Sequence, residues 1–247
     1  MSMDTPLITV VIPAHNEEGY IGDCLAAVRK AARRLPPRSV QVIVVADKCT
    51  DRTAAIAHAN GAQVIACAAS CIAAVRNIGA AHALGRILVT IDADSRMTEG
   101  ALAEVVAMLR TRRYIGGGAV PQFDRMSLGI GVTSMVIAAH LLPTMLREGA
   151  ALSGAMFWTY KSCFDAIGGF DEHLCSMEDM DFAVRLKRLG DRYGRRYGIL
   201  REARCITSSR KFDRFGDWYL LKNYGQMRAI FTGTDRAAAD AFYYDVR

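Results

Sequence analysis

Two acidic clusters carry most of the chemistry this sequence can offer. Asp92-Ala93-Asp94 closes a short apolar run, Arg86–Ile91, and sets two carboxylates at alternate positions where a buried strand would end. Negative charge crowded at a sheet edge is costly unless a cation sits beside it. Hard carboxylate oxygens suit Mg²⁺ or Mn²⁺, with diphosphate oxygens completing the shell. The plain alternative is a solvated turn after a strand. The second cluster, Glu178-Asp179-Met180-Asp181, leads into an amphipathic pattern over Phe182–Leu189. Acids so placed commonly serve the positive end of a helix dipole. The functional reading makes one of them a general base that takes a proton from an acceptor hydroxyl. Gly168-Gly169 just upstream lets the chain turn tightly beside a ligand.

Three further segments offer polar groups where strands should end. Pro13-Ala14-His15-Asn16-Glu17-Glu18 follows the first apolar run, and Asn16 as a helix cap with Glu17 and Glu18 as first-turn acids accounts for it without any ligand. Asp47 ends the second run and precedes Lys48-Cys49-Thr50-Asp51. There Asp51 is expected to cap the next helix, and Asp47 to face a ligand and accept a hydrogen bond from a base or ribose. Arg76-Asn77 falls in a helical segment, where Arg reaches a phosphate or a carboxylate, or else lies on a solvated face.

The elements that must position these groups alternate. Strands are expected at Leu7–Ile12, Val40–Ala46, Gln63–Ala66 and Arg86–Ile91, and helices at Glu18–Leu35, Asp51–Asn60, Ser70–Leu84 and Glu99–Arg112. The first helix should bury Ile21, Leu25, Val28 and Ala32. Repeated β-α units imply a parallel sheet with right-handed crossovers, and ligands bind such sheets at the carboxyl ends of their strands. Gly116-Gly117-Gly118 should open a less regular second half. Leu128–Leu146 carries no charge and approaches spanning length, but His140, Pro143 and the pair Gly129 and Gly131 weaken a membrane span. A crossing there would also put Asp94 and Glu178 on opposite faces, so a core helix or one lying in a membrane interface is expected. Thr234–Arg247 should be poorly ordered.

The net charge of +6 suits anionic substrates or surfaces without choosing among them, and no basic run interleaved with aromatics reads as a nucleic-acid module. Seven scattered cysteines, with no CxxC pair, argue against a disulfide framework or a zinc knuckle and for buried thiols in a reducing compartment. The N-terminus lacks the basic and apolar regions of a secretory signal, so a cytoplasmic protein is expected.

In order and spacing, ITVVIPAHNEE, VIVVADKCTD, AAVRNIGAAHALGRILVTIDADS, GGFDE and EDMDFAVRLKRLG resemble the family 2 glycosyltransferases, over roughly residues 7–190. The resemblance implies an α/β chain of GT-A fold in one domain, with a nucleotide-sugar half over residues 1–115 and an acceptor half over 116–247. It further implies that Pro13, Asn16 and Glu17 line the nucleotide pocket, and that Asp47 reads the base, with Ala46 replacing the first acid of the family's DDGS turn. Arg76 would stand near base and phosphates, and Asp92 with Ala93 near the ribose. Asp94 would bind Mn²⁺ or Mg²⁺, Asp179 would be the catalytic base, and Glu178 would support acceptor or donor placement.

The partners implied are a nucleotide-sugar donor and a carbohydrate, lipid-linked or small-molecule acceptor, with peripheral membrane contact through Leu128–Leu146. UDP-sugars are favoured, with GDP-mannose open, and the transfer is expected to invert the anomeric centre. Arg210, Lys211 or Arg214 would assist on the diphosphate. No histidine lies beyond His173, so a downstream histidine ligand of some GT-A enzymes is missing, and the QxxRW signature of processive synthases is absent. Rival nucleotide enzymes fit less well. A nucleotidyltransferase or a dinucleotide-binding dehydrogenase needs a Gly-rich loop directly after the first strand, where this chain has PAHNEE.

Overall fold

The computed structural model describes residues 5–69, 71–149, 155–174, 176–223 and 225. Its first half alternates as the apolar pattern requires: β1 (Ile8–Ala14), α1 (Ile21–Ala32), β2 (Val40–Asp47), α2 (Thr53–Ala59), β3 (Gln63–Cys67), α3 (Ile72–Ala81) and β4 (Ile87–Ile91). All four strands are parallel, in the order β3-β2-β1-β4. Successive β1 residues face opposite layers, as the two-residue period of a strand demands. Val10 and Ile12 pack toward Ile21, Leu25 and Val28 of α1, while Val11 packs toward Ala73, Ala74 and Val75 of α3. Each fully buried Val, Leu or Ile side chain among them contributes about 1.5–3 kcal/mol.

Beyond β4 come β5 (Ser95–Met97), α4 (Ala101–Arg110), β6 (Tyr114–Gly118), β7 (Pro121–Phe123), α5 (Leu128–Glu148), β8 (Met156–Tyr160), α6 (Lys161–Ala166), α7 (Glu178–Arg192), β9 (Arg196–Ile199), β10 (Cys205–Thr207), α8 (Arg210–Phe215) and α9 (Tyr219–Lys222). β8, β6 and β9 continue the main sheet past β4, with β8 antiparallel to both its neighbours. The triple glycine is therefore a sheet strand, β6, and not the start of an irregular region. Glycine is needed there because a Cβ on Gly117 would lie 1.9 Å from the Gly198 carbonyl oxygen and 2.6 Å from the Trp158 ring. Trp158 is fully buried and donates its indole N–H to the Gly118 carbonyl at 3.1 Å.

A second, three-stranded sheet, β5-β10-β7, sits beyond the end of β4. No sequence signal marked it, because strands of three residues show no period.

Two further expectations need correction. α1 starts at Ile21 and not Glu18, because Asn16, at φ 51°, turns the chain and its side chain serves a neighbouring loop instead of capping the helix. α5 is not a core helix: Leu128, Met135, Leu142 and Leu146 are exposed, while Ile130, Thr133 and Leu141 are buried. Among the described residues no helix is long and apolar enough to cross a membrane. Ser70 and Thr234–Arg247 lie outside the described residues.

Candidate active site

The chain winds from β1 outward to β2 and β3, then returns to place β4 on the other side of β1. Strand order reverses between β1 and β4, the point at which open α/β sheets bind ligands. The two strands part there, their pairing ending at Val11 with Thr90. Pro13 lies beyond this last pair, where its missing N–H costs the β1–β4 ladder nothing. Glu17 follows β1, and Asp92 and Asp94 follow β4, so three carboxylates converge on one crevice.

Two buried arginines hold these acids. Arg76, on α3, is 3% exposed and donates from Nη2 to Asp92 Oδ1 at 2.9 Å and from Nη1 to Glu178 Oε1 at 2.7 Å. The Phe170 ring lies 5.1 Å from its guanidinium carbon, and Phe170 stacks on Phe182 of α7 at 4.3 Å. Burial opposes the charge, but Asp92 and Glu178 outweigh it and hold the guanidinium protonated. The arginine expected near base and phosphates is thus a buried tie between β4 and α7, with both terminal nitrogens already bound to carboxylates. Its neighbour Asn77 braces the Gly168–Glu172 turn, accepting from Phe170 N–H at 2.9 Å and donating to Glu172 Oε1 at 2.8 Å. Gly169, at φ 71°, has no room for a Cβ, which would stand 2.6 Å from Asn77 Oδ1.

Arg210, the first residue of α8, holds the other acids. Its Nη1 and Nη2 donate to Glu17 Oε2 and Oε1 at 2.7 and 2.6 Å, and Nη2 lies 2.9 Å from Asp94 Oδ2. The guanidinium also covers the Tyr20 ring, 4.8 Å from its centroid. The small sheet delivers it: β10 pairs with β5, Ser208 N–H donates to the Asp94 carbonyl at 3.1 Å, and Ser95 Oγ meets Thr207 Oγ1 at 3.0 Å. Of the other basic residues expected on a diphosphate, Arg214 is exposed over the Phe215 ring and Lys211 is half-buried.

Asp179 is the odd carboxylate. It lies in the first turn of α7, half-buried, and its Oδ1 accepts the Met180 N–H at 2.8 Å. Burial, then the adjacent Glu178 carboxylate, push its pKa up to about 7 against the opposing pull of Arg76. A carboxyl that changes charge near neutrality at a crevice can act as a general base. Asp181, by contrast, pairs with Arg185 one turn on and is structural.

On the β2 side of the crevice, Asp47 is 4% exposed and its Oδ1 accepts the Ala69 N–H at 2.7 Å, which fixes the loop after β3. Asn16 Oδ1 accepts the Thr50 N–H at 2.8 Å, tying the loops after β1 and β2 together. Asp51 receives N–H groups from Thr53 and Glu18, both at 2.9 Å, and so ties the start of α2, whose cap position is Arg52 and not the expected Asp51, to the β1 loop. Ala93 is buried and offers only its backbone.

The sequence reading had assigned Glu17, Asp94 and Arg210 separately. Their mutual contact spans a separation of 193 residues and leaves no local signal. Tyr20 was missed outright. Among the described residues no group of three or more His, Cys, Asp or Glu side chains is arranged to hold a metal ion. Asp94 nevertheless suits one: its hard oxygens already bear a cationic group, the Arg210 guanidinium. Cys24 and Cys205 lie buried beneath the acids, and burial raises both thiols, Cys205 to about 12, so they behave as inert apolar groups.

The sequence model of the family described as glycosyl transferase family 2 matches residues 9–169. A stretch covering 41% of this chain is 34% identical to an uncharacterized glycosyltransferase of Mycobacterium tuberculosis. That stretch spans 43% of the relative's length, so the likeness covers under half of it. Among solved structures, S. aureus TarS residues 1–349 superimposes with a TM-score of 0.63 at 17% identity, covering 97% of this chain and 70% of that one. The mannosyltransferase PcManGT from Pyrobaculum calidifontis, solved with GDP-Man and Mn²⁺, gives 0.64 at 19% identity, over 82% of this chain and 56% of that one.

Proposed function

This chain belongs to glycosyl transferase family 2 and has the GT-A fold, and from that premise we propose that it moves one sugar from a nucleotide-diphosphate sugar to an acceptor hydroxyl with inversion. The observation that carries this reading is Asp179, a carboxyl raised to about 7 next to Glu178 and within the electrostatic reach of Arg76 and the strand-end acid Asp92. In the proposed step its carboxylate takes the proton from the acceptor hydroxyl as that oxygen attacks the anomeric carbon. The bond from that carbon to the phosphate oxygen breaks, and the nucleoside diphosphate leaves. Inversion follows from a single displacement.

The remaining residues take positioning roles. Pro13, Asn16 and Asp47 line the base side, and Asp92 with Ala93 lies toward the ribose. Arg76 fixes Asp92 and Glu178, and through Glu178 it steadies the first turn of α7. A divalent cation, Mn²⁺ or Mg²⁺, held by Asp94, would neutralise charge on the departing diphosphate. Arg210 supplies a second positive charge there. A UDP-sugar is the favoured donor: TarS is solved with UDP-GlcNAc, whereas the GDP-Man complex of PcManGT keeps GDP-mannose in view. The exposed apolar residues of α5 support a lipid-linked or hydrophobic acceptor, approached at a membrane surface.

The test is thermal stability against UDP- and GDP-sugars with and without Mn²⁺, alongside Asp94→Ala. A donor at a hundredfold its Kd should stabilise by about 2.7 kcal/mol. A metal-dependent shift with one nucleotide, lost in Asp94→Ala, is the expected result. No shift with any donor, in folded protein, would favour a non-catalytic member of the family.

A further inference from the structure

The Glu17–Arg210–Asp94 cluster places a cation on the carboxylate assigned to a metal, and it is built with care. Glu17 is 2% exposed and its N–H is held by Thr53 Oγ1 at 2.7 Å. Arg210 is 11% exposed, and its backbone is set by β10 and by Asp124, whose Oδ1 accepts the Ser209 N–H at 3.0 Å. Glu17 accepts hydrogen bonds from both terminal nitrogens of the guanidinium, whereas Asp94 meets it as an ion pair, Oδ2 lying 2.9 Å from Nη2. Arg210 Nε is buried and has no hydrogen-bond partner among the described residues. Glu17 is therefore the firm partner and Asp94 the exchangeable one, while an unused donor remains for an acceptor absent from the donor-free protein.

We propose that Arg210 is a resident counter-cation that guards Asp94. A divalent ion and the guanidinium compete for that carboxylate, and the donor's diphosphate resolves the competition by accepting Arg210 while the ion takes Asp94. Glu17 is the pivot on which the guanidinium turns. The inference rests on the nucleotide-sugar reading above and adds an order to it: metal binds poorly before nucleotide, and each promotes the other. Two cations brought together without an anion between them repel, and the diphosphate supplies that anion. Because such coupling is reciprocal, a typical factor of about 5–150 must appear in both titrations.

The experiment measures Mn²⁺ binding by electron paramagnetic resonance, with and without saturating UDP or GDP, for the wild type, Arg210→Met and Arg210→Lys. In the wild type, whichever nucleotide binds should raise Mn²⁺ affinity tenfold or more. In Arg210→Met, Mn²⁺ should bind the nucleotide-free protein at least tenfold more tightly than it binds the wild type. The boost from nucleotide should shrink to match. Arg210→Lys, which keeps the charge but loses the forked grip, should fall between them. Damage to the pocket lowers metal affinity, so a rise separates competition from a structural role. Unchanged or weaker Mn²⁺ binding in Arg210→Met, with nucleotide still bound, overturns the proposal while sparing the donor reading. Failure of the wild type to bind either nucleotide with Mn²⁺ overturns both. Should Arg210→Met not fold, Arg210→Lys with wild-type Mn²⁺ affinity and undiminished coupling is equally fatal.

Discussion

Replacing Arg76 with methionine removes the cation that Asp92 and Glu178 share and keeps most of the packing against Phe170. Breaking a buried ion pair by deleting one partner costs about 3–5 kcal/mol, because the other charge stays buried and unpaired. Asp92 is 29% exposed and recovers part of that in water, while Glu178, at 11%, recovers little. The lower end, about 3 kcal/mol, is therefore the expected loss. For a chain of this size it corresponds to a fall in Tm of roughly 6–12 °C. The assay is urea unfolding with the m-value held. Adding Glu178→Gln to Arg76→Met should restore part of the loss. A single variant within about 0.5 kcal/mol of wild type, or no recovery on adding Glu178→Gln, would refute the charge argument.

Other outcomes follow from the same geometry. Gly117→Ala forces a Cβ to within 1.9 Å of the Gly198 carbonyl, so the variant should lose several kcal/mol and be recovered mostly insoluble, as read by soluble yield and unfolding. Met135→Lys with Leu146→Glu alters side chains 73% and 74% exposed, so stability should hold within about 0.5 kcal/mol while binding to lipid vesicles or detergent falls. Unchanged vesicle binding would remove the hydrophobic-acceptor reading. Asp179 is protonated in the fold to about pH 7 but ionises near 3.8 when unfolded, so its contribution to stability is present at low pH and is lost as pH rises through 7. Asp179→Asn should abolish that decline, worth at most about 4 kcal/mol, and flatten the pH dependence of urea unfolding.

How far the sequence foretold this molecule depended on the range of the forces involved. The alternation of apolar runs placed every strand and helix of the first half, because burial on two layers imposes its period locally, as Val10, Val11 and Ile12 illustrate. The acids at Asp47, Asp92 and Asp94 were legible because strand ends can be read from neighbours. What failed was set by distant partners. Gly116–Gly118 read as the opening of a less regular half, whereas Trp158 and Gly198 demand bare backbone in a strand there. Asn16 looked like a cap, but its oxygen is claimed by Thr50, 34 residues on. Arg76 offered a phosphate, a carboxylate or a solvated face, and the carboxylate partner is set by Glu178, 102 residues away. The Arg210 cluster depends on strands of three residues, too short to show a pattern.

The central claim is that Asp179 is the base of an inverting transfer. The most direct measurement is the pH dependence of kcat/KM with the donor found by thermal shift, for wild type and Asp179→Asn, with donor Kd measured in parallel. The wild type should show activity rising through a limb near pH 7, and Asp179→Asn should lose about 10²–10⁴-fold in turnover while binding donor as before. Activity within tenfold of wild type in Asp179→Asn, or a limb unmoved from the ordinary carboxylate range near pH 4, would contradict the assignment.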